Sequence, residues 1–151
     1  RLNTLKDAQD LLTRNGWEKA GIQDIVRGSL APHASLSRFD ITGPQLTLSS
    51  RCALGLALGL HELATNANKY GALRNPEGRI QLRWDVNGDR FHLHWNEVGG
   101  PAVTPPTHNG FGTRLIERAM AGYFQGKARI SYDPGGLAFT LEAPASALAE
   151  D

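Results

Sequence analysis

The stretch from Ser49 to Gly71 constrains the fold more than any other part of the chain. It contains no proline, Ser49 or Ser50 can cap its start, and Gly71 can close its end, so it predicts one long helix to about Tyr70. At about 100° per residue, Leu56, Leu60, Leu63 and Ala67 share one arc of that helix. Glu62, Asn66, Lys69 and Tyr70 fall on the neighbouring arc. A helix so divided must bury one side against a second layer. It then presents a carboxylate, an amide, an ammonium and a phenol along the rim of that contact.

The rest of the chain supplies the second layer. Arg79 to Val86 alternates with Ile80, Leu82, Trp84 and Val86 on one face, and Phe91, Leu93 and Trp95 alternate on a return strand. Asn87-Gly88 between them is a hairpin turn. Lys127 to Tyr132 and Leu137 to Ala143 form a last hairpin across Asp133-Pro134-Gly135-Gly136. Phe39-Asp40-Ile41 and Gln45 to Leu48 are short extended pieces on either side of Gly43-Pro44. Further helices are expected over residues 2–14 (stopped by Asn15-Gly16, with Trp17 opening a connector), Ile22 to Leu30, and Thr113 to about Tyr123. This order predicts an α+β fold, a two-layer α/β sandwich with helices on one face of a sheet.

With 151 residues and 40% hydrophobic content, one domain with a real core is expected. The net charge of +1 gives no electrostatic reason to expect a nucleic acid or a membrane surface as partner. No stretch approaches the roughly 20 apolar residues of a membrane span. The single cysteine, Cys52, excludes an intrachain disulfide framework, suits a reducing cytosol, and reads as a small buried hydrophobe. The chain opens on Arg1 in what reads as a helix already in progress, so it is expected to follow an upstream element.

Three segments carry chemistry. The first is HELATNANKYGAL, residues 61–73. An amide oxygen at Asn66 can ligate Mg²⁺, Lys69 can neutralise phosphate, and Glu62 can orient or deprotonate a nucleophile. A solvated polar helix face is the alternative. The second is WNEVGGP, residues 95–101, where Glu97 at a strand end can accept from an exocyclic amine such as adenine's. Gly99 and Gly100 would let a flat ring approach the backbone; the alternative is a plain turn. The third is NGFGTRLIER, residues 109–118, with Gly110 and Gly112 before a helix whose first amides can meet phosphate. It is not a Walker A loop, because no Gly-Lys-Ser/Thr follows.

In order and spacing these segments resemble the N, G1 and G2 boxes of the ATPase superfamily that joins gyrase, the heat-shock 90 chaperones, histidine kinases and a mismatch-repair ATPase. Two details resemble the HWE histidine kinases in particular: His61 inside the N box, and Trp95-Asn96-Glu97 in the G1 box. The opening DLLTRNGW is similar to the stretch that joins that family's dimerisation helices to its catalytic domain. The resemblance implies a Bergerat sandwich with a mixed sheet, binding Mg²⁺ and ATP. It implies Asn66 as the Mg²⁺ ligand, Glu62 and Lys69 as catalytic groups by the γ-phosphate, and Lys69 and Tyr70 on phosphate or ribose. Glu97 would bind the adenine amine, where most relatives have aspartate, beside Gly99 and Gly100. Gly110, Phe111, Gly112, Thr113, Arg114 and Leu115 would form the return to the phosphates, and Thr140 would support the adenine site.

The stretch Pro101 to Asn109 is nine residues with no phenylalanine, so a short ATP lid is expected. None of the five histidines, His33, His61, His92, His94 and His108, sits in a His-Arg-x-Lys-Asn phosphoacceptor context. The implied function is therefore a cytoplasmic catalytic domain that phosphorylates a histidine on a separate dimerisation domain, in a homodimeric parent that passes the group to a response regulator. A hydrolysing ATPase and an anti-sigma-factor type of serine kinase are the rival classes. His61 is expected to pack or to orient the helix, His92 and His94 to share a sheet face, and Trp84 and Trp95 to be core or sheet-face aromatics. The expected division is linker to residue 20, catalytic domain 21–145, and tail 146–151.

Overall fold

The computed structural model describes residues 19–103 and 111–149. The elements are β1 (Lys19–Gly21), α1 (Ile22–Leu30), β2 (Phe39–Thr42), β3 (Thr47–Ser49), α2 (Ser50–Tyr70), β4 (Arg79–Asn87), β5 (Arg90–Val98), α3 (Phe111–Phe124), β6 (Lys127–Asp133) and β7 (Gly136–Pro144). Short 3₁₀ turns occupy Leu36–Arg38, Ala72–Arg74 and Ala145–Ala149. The expected helix over residues 2–14, its Asn15-Gly16 stop and the Trp17 connector lie outside the described residues.

The main sheet runs β2-β4-β5-β7-β6. β2 lies parallel to β4, and the other neighbours are antiparallel, so the sheet is mixed. β1 and β3 form a separate antiparallel pair. Strand alternation sets the sheet's inner face. Ile80, Leu82 and Trp84 on β4 stand opposite Glu97, Trp95 and Leu93 on β5. Trp95, Leu93 and Phe91 in turn stand opposite Phe139, Leu141 and Ala143 on β7. All of these residues are buried. The expected partner Val86 shares the register but is 37% exposed, because it sits beside the hairpin turn at the end of the strand. The hairpin loop is Gly88-Asp89, with Gly88 at φ +64.

Ser49 caps α2 by accepting from the Cys52 amide at 3.2 Å. The apolar arc of α2, Leu56, Leu60, Leu63 and Ala67, is buried as the periodicity requires. Two glycines on that helix have a purpose the periodicity does not reveal. A Cβ at Gly55 would stand 2.5 Å from Tyr123 Cβ, and one at Gly59 would stand 2.3 Å from Met120 Sδ. Gly55 must lack a side chain for α3 to pack this close, whereas at Gly59 the flexible end of Met120 would have to shift. Ile116, Met120 and Phe124 are the buried stripe of α3, and Phe124 stacks on Phe91 with ring centroids 5.9 Å apart.

Ala147 and Leu148 are buried, and Cys52 Sγ lies 3.3 Å from the Ala147 carbonyl oxygen. The apolar turn at 145–149 therefore closes the core under the start of α2. Ala20, assigned to the linker, is also buried, in a strand paired with β3.

Candidate functional site

The site forms where α2 ends beside the end of β5. Glu97 continues the inner-face series Phe91, Leu93, Trp95, so its carboxylate points into the core side of the sheet. It is only 5% exposed. A carboxylate taken that far from water must be met by donors. Two are present: the Ala72 amide donates to Oε1 at 3.0 Å, and the Trp95 indole Nε1 donates to Oε2 at 3.0 Å. Burial pushes the Glu97 carboxyl above the ordinary glutamate range, and the bonds from Trp95 and Ala72 pull it part of the way back.

Ala72 can donate because the chain turns sharply after α2. Gly71 caps the helix, its amide donating to the Ala67 carbonyl at 3.0 Å. A Cβ on Gly71 would stand 2.1 Å from Glu97 Oε1, so the carboxylate fits only against a glycine. The turn beyond it is held by Arg38, which sequence reasoning missed. Its Nε donates to the Gly78 carbonyl at 2.9 Å, and its Nη2 donates to the carbonyls of Asn75 at 2.6 Å and Ala72 at 3.4 Å. No local pattern marks Arg38, because its three acceptors lie 34 to 40 residues away.

Gly99 and Gly100 belong to this neighbourhood, though in a way other than expected. Gly99 has φ +74, and a Cβ on Gly100 would meet the Ala72 nitrogen at 2.8 Å. The space beside Gly100 is filled by the chain's own backbone, so these glycines serve the turn's packing. Asn75 Nδ2 ties the two segments by donating to the Gly99 carbonyl at 3.1 Å.

Along α2 the predicted stripe is present. Glu62 and Asn66 are half-buried, Lys69 is exposed, and Tyr70, 70% exposed, stands directly before the glycine that faces Glu97. The stripe and the buried carboxylate thus meet at one corner of the fold. On the next face of α2, His61 Nδ1 lies 2.8 Å from His33 Nε2, Thr65 donates to the His61 carbonyl at 2.8 Å, and Asn68 donates to the His33 carbonyl at 3.2 Å. The expected orienting role of His61 therefore has a partner, His33, that sequence reading did not single out.

Thr140 is not brought to this corner. It lies opposite His94 on β5 and Arg129 on β6, on the sheet face turned away from the helices. Its neighbours on β7, Phe139 and Leu141, take the inner positions, and strand alternation places Thr140 outside. His92 and His94 share that outer face, with ring centroids 6.4 Å apart and His92 Nε2 3.3 Å from a Glu142 oxygen. Phe111, Gly112, Thr113, Arg114 and Leu115 form the first turn of α3, which begins two residues earlier than expected. Gly110, the side chains of residues 111–115, and most of the expected lid lie outside the described residues.

Among the described residues no cluster of three or more His, Cys, Asp or Glu side chains could hold a metal. A Mg²⁺ carried by a polyphosphate needs less from the protein, because it keeps waters and phosphate oxygens as most of its ligands. One hard oxygen on a half-buried side chain suffices, and the Asn66 amide meets that requirement.

Comparison with known proteins supports this fold. The HWE histidine kinase family model matches residues 1–45. A blue-light-activated histidine kinase of Brucella anthropi is 44% identical over 153 residues, covering 97% of this chain and 31% of that protein. The chain thus spans about a third of the length of the curated relatives it matches. Among solved structures, the histidine kinase domain of the Erythrobacter litoralis EL346 blue-light activated histidine kinase superposes with TM-score 0.71 at 15% identity, over 96% of this chain and 73% of that one. The histidine kinase ThkA, in complex with the response regulator protein TrrA, superposes with TM-score 0.61 at 14% identity, over 97% of this chain and 48% of that one.

Proposed function

We propose that the chain is a member of the HWE histidine kinase family, whose model matches residues 1–45, and that it is the part of a longer sensor kinase that binds Mg–ATP and presents the γ-phosphate for transfer. The observation that carries this reading is the buried Glu97 carboxylate at the end of the Glu62, Asn66, Lys69, Tyr70 stripe. A carboxylate held in the core accepts hydrogen bonds only, which suits the adenine amine and repels a carbonyl oxygen at the same place. From that anchor the nucleotide would run along α2 toward its polar stripe.

Asn66 would hold Mg²⁺, which would neutralise charge between the phosphates. Lys69 and Tyr70, exposed on the same stripe, would meet phosphate or ribose oxygens. The free amides in the first turn of α3 would receive phosphate from the opposite side. Glu62 lies one helical turn before Asn66 and would accept the proton of the attacking histidine. Catalysis in such an arrangement is mainly positioning and charge compensation. The acceptor histidine would lie on a dimerisation domain of the same kinase, itself a homodimer, with a response regulator as the next acceptor and the cytoplasm as the compartment.

The decisive experiment joins this chain to its natural upstream segment and follows γ-phosphoryl transfer. Acid-labile phosphohistidine on the upstream segment, dependent on Mg²⁺ and lost with Asn66→Ala, is the expected result. Steady phosphate release by the chain alone, abolished by Glu62→Gln, would replace this reading with a hydrolysing ATPase.

A further inference from the structure

Trp95 and Glu97 are two residues apart on one strand face, so their side chains stand side by side in the core. Trp95 is fully buried, and its indole has one polar atom, a donor that cannot accept. That donor is spent on Glu97 Oε2 at 3.0 Å, while the other oxygen takes the Ala72 amide at 3.0 Å. Each carboxylate oxygen therefore faces an N–H. A proton added to either oxygen would take one of its remaining lone pairs and would weaken both bonds by removing the negative charge that strengthens them. A carboxylate has about four lone-pair positions, so two remain for an incoming ligand.

We infer that Trp95 is a positioning residue that holds Glu97 in its acceptor-only form, and that selectivity for a purine bearing an amine over one bearing a carbonyl is set through the indole. The inference rests on the reading of Glu97 as the adenine-binding group. Without the indole, burial acts on Glu97 with less opposition and drives it toward the neutral acid. A neutral carboxyl can donate, and a donor at this position can donate to the guanine carbonyl oxygen. Gly71 completes the device: the side-chain-free space at 2.1 Å from Oε1 lets the carboxylate reach the Ala72 amide at all. Trp95 thus acts through Glu97 and need not touch the nucleotide.

The test uses the 151-residue chain with Mg²⁺ and three probes: ATP, GTP and the triphosphate of unsubstituted purine riboside, which lacks the amine. Trp95→Phe keeps an aromatic ring beside Phe39 and removes the donor, together with part of the indole's buried volume. Its ATP affinity should fall about tenfold, the range for one hydrogen bond to a charged group, with no matching fall for GTP or the purine probe. Its loss of ATP affinity on acidification should begin at higher pH than in wild type. An unchanged ATP/GTP ratio in folded Trp95→Phe overturns the inference. Glu97→Gln separates the two layers. If it leaves discrimination among the three probes intact, the adenine reading itself falls. If it collapses discrimination and Trp95→Phe does not, only the role of the indole falls. Should Trp95→Phe not fold, the Trp95 indole N–H resonance of the wild type decides. It should titrate together with the acid limb of ATP binding, and a resonance unmoved through that limb overturns the proposal.

Discussion

His33 and His61 meet nitrogen to nitrogen at 2.8 Å, across 28 residues of sequence, with their rings edge to face. One ring must donate and the other accept, so at least one nitrogen of the pair is unprotonated. The bond joins the segment after α1 to the side of α2 next to the Glu62 stripe. A double-mutant cycle with His33→Ala and His61→Ala should give a coupling free energy of about 0.5–1.5 kcal/mol in denaturant unfolding. Strictly additive losses would show that the contact contributes nothing to stability.

Asn66→Ala should leave the unfolding free energy within about 0.5 kcal/mol of wild type, because the side chain is only half-buried. Its ATP affinity should become the same with and without Mg²⁺. Calorimetric titration in both conditions checks this, and an intact Mg²⁺ effect would remove Asn66 from the metal's surroundings.

The pH dependence of ATP binding follows from Glu97. Its carboxyl is raised by burial, so the acceptor form is lost as pH falls through a value above the ordinary glutamate range. ATP affinity should rise with pH through that value and then level off. Folding carries the opposite sign. Between the ordinary value and the raised one the folded chain keeps a proton that the unfolded chain has lost, so this group's contribution to stability falls as pH rises. Titrations with Glu97→Gln should lack the acid limb in binding; its persistence would assign the limb to another group.

Gly71→Ala tests the tight fit at the end of α2. An added Cβ would stand 2.1 Å from Glu97 Oε1, and this contact is the effect the substitution is designed to read. Displacing the carboxylate should cost about 1–3 kcal/mol of stability and weaken ATP more than it weakens the purine probe. Equal weakening of both would mean that the damage is general.

Glu62→Gln should leave ATP binding intact and lower phosphohistidine formation about 100-fold or more in the chain joined to its upstream segment, as for loss of a positioned base. The chain alone should release negligible phosphate from ATP, with either residue at position 62. Rapid-quench measurement of the phosphohistidine yield distinguishes a lost base from a lost binding contact.

What the sequence determined by itself is whatever depends on local periodicity and on side-chain type. The 3.6-residue period of α2, the two-residue alternation of β4 and β5, and the caps at Ser49 and Gly71 were all legible, because each is decided within a few residues. So was the set Glu62, Asn66, Lys69, Tyr70, whose shared stripe follows from helix geometry alone. The tertiary structure decided everything that depends on a partner far along the chain. It gave Glu97 the Ala72 amide from 25 residues away, and His61 the ring of His33. It used Arg38 to fix the turn beneath the site, Gly55 to admit α3, and strand alternation to turn Thr140 outward. A residue's own chemistry is written at its position, but its protonation, its partners and the space around it are set by groups that only folding brings near.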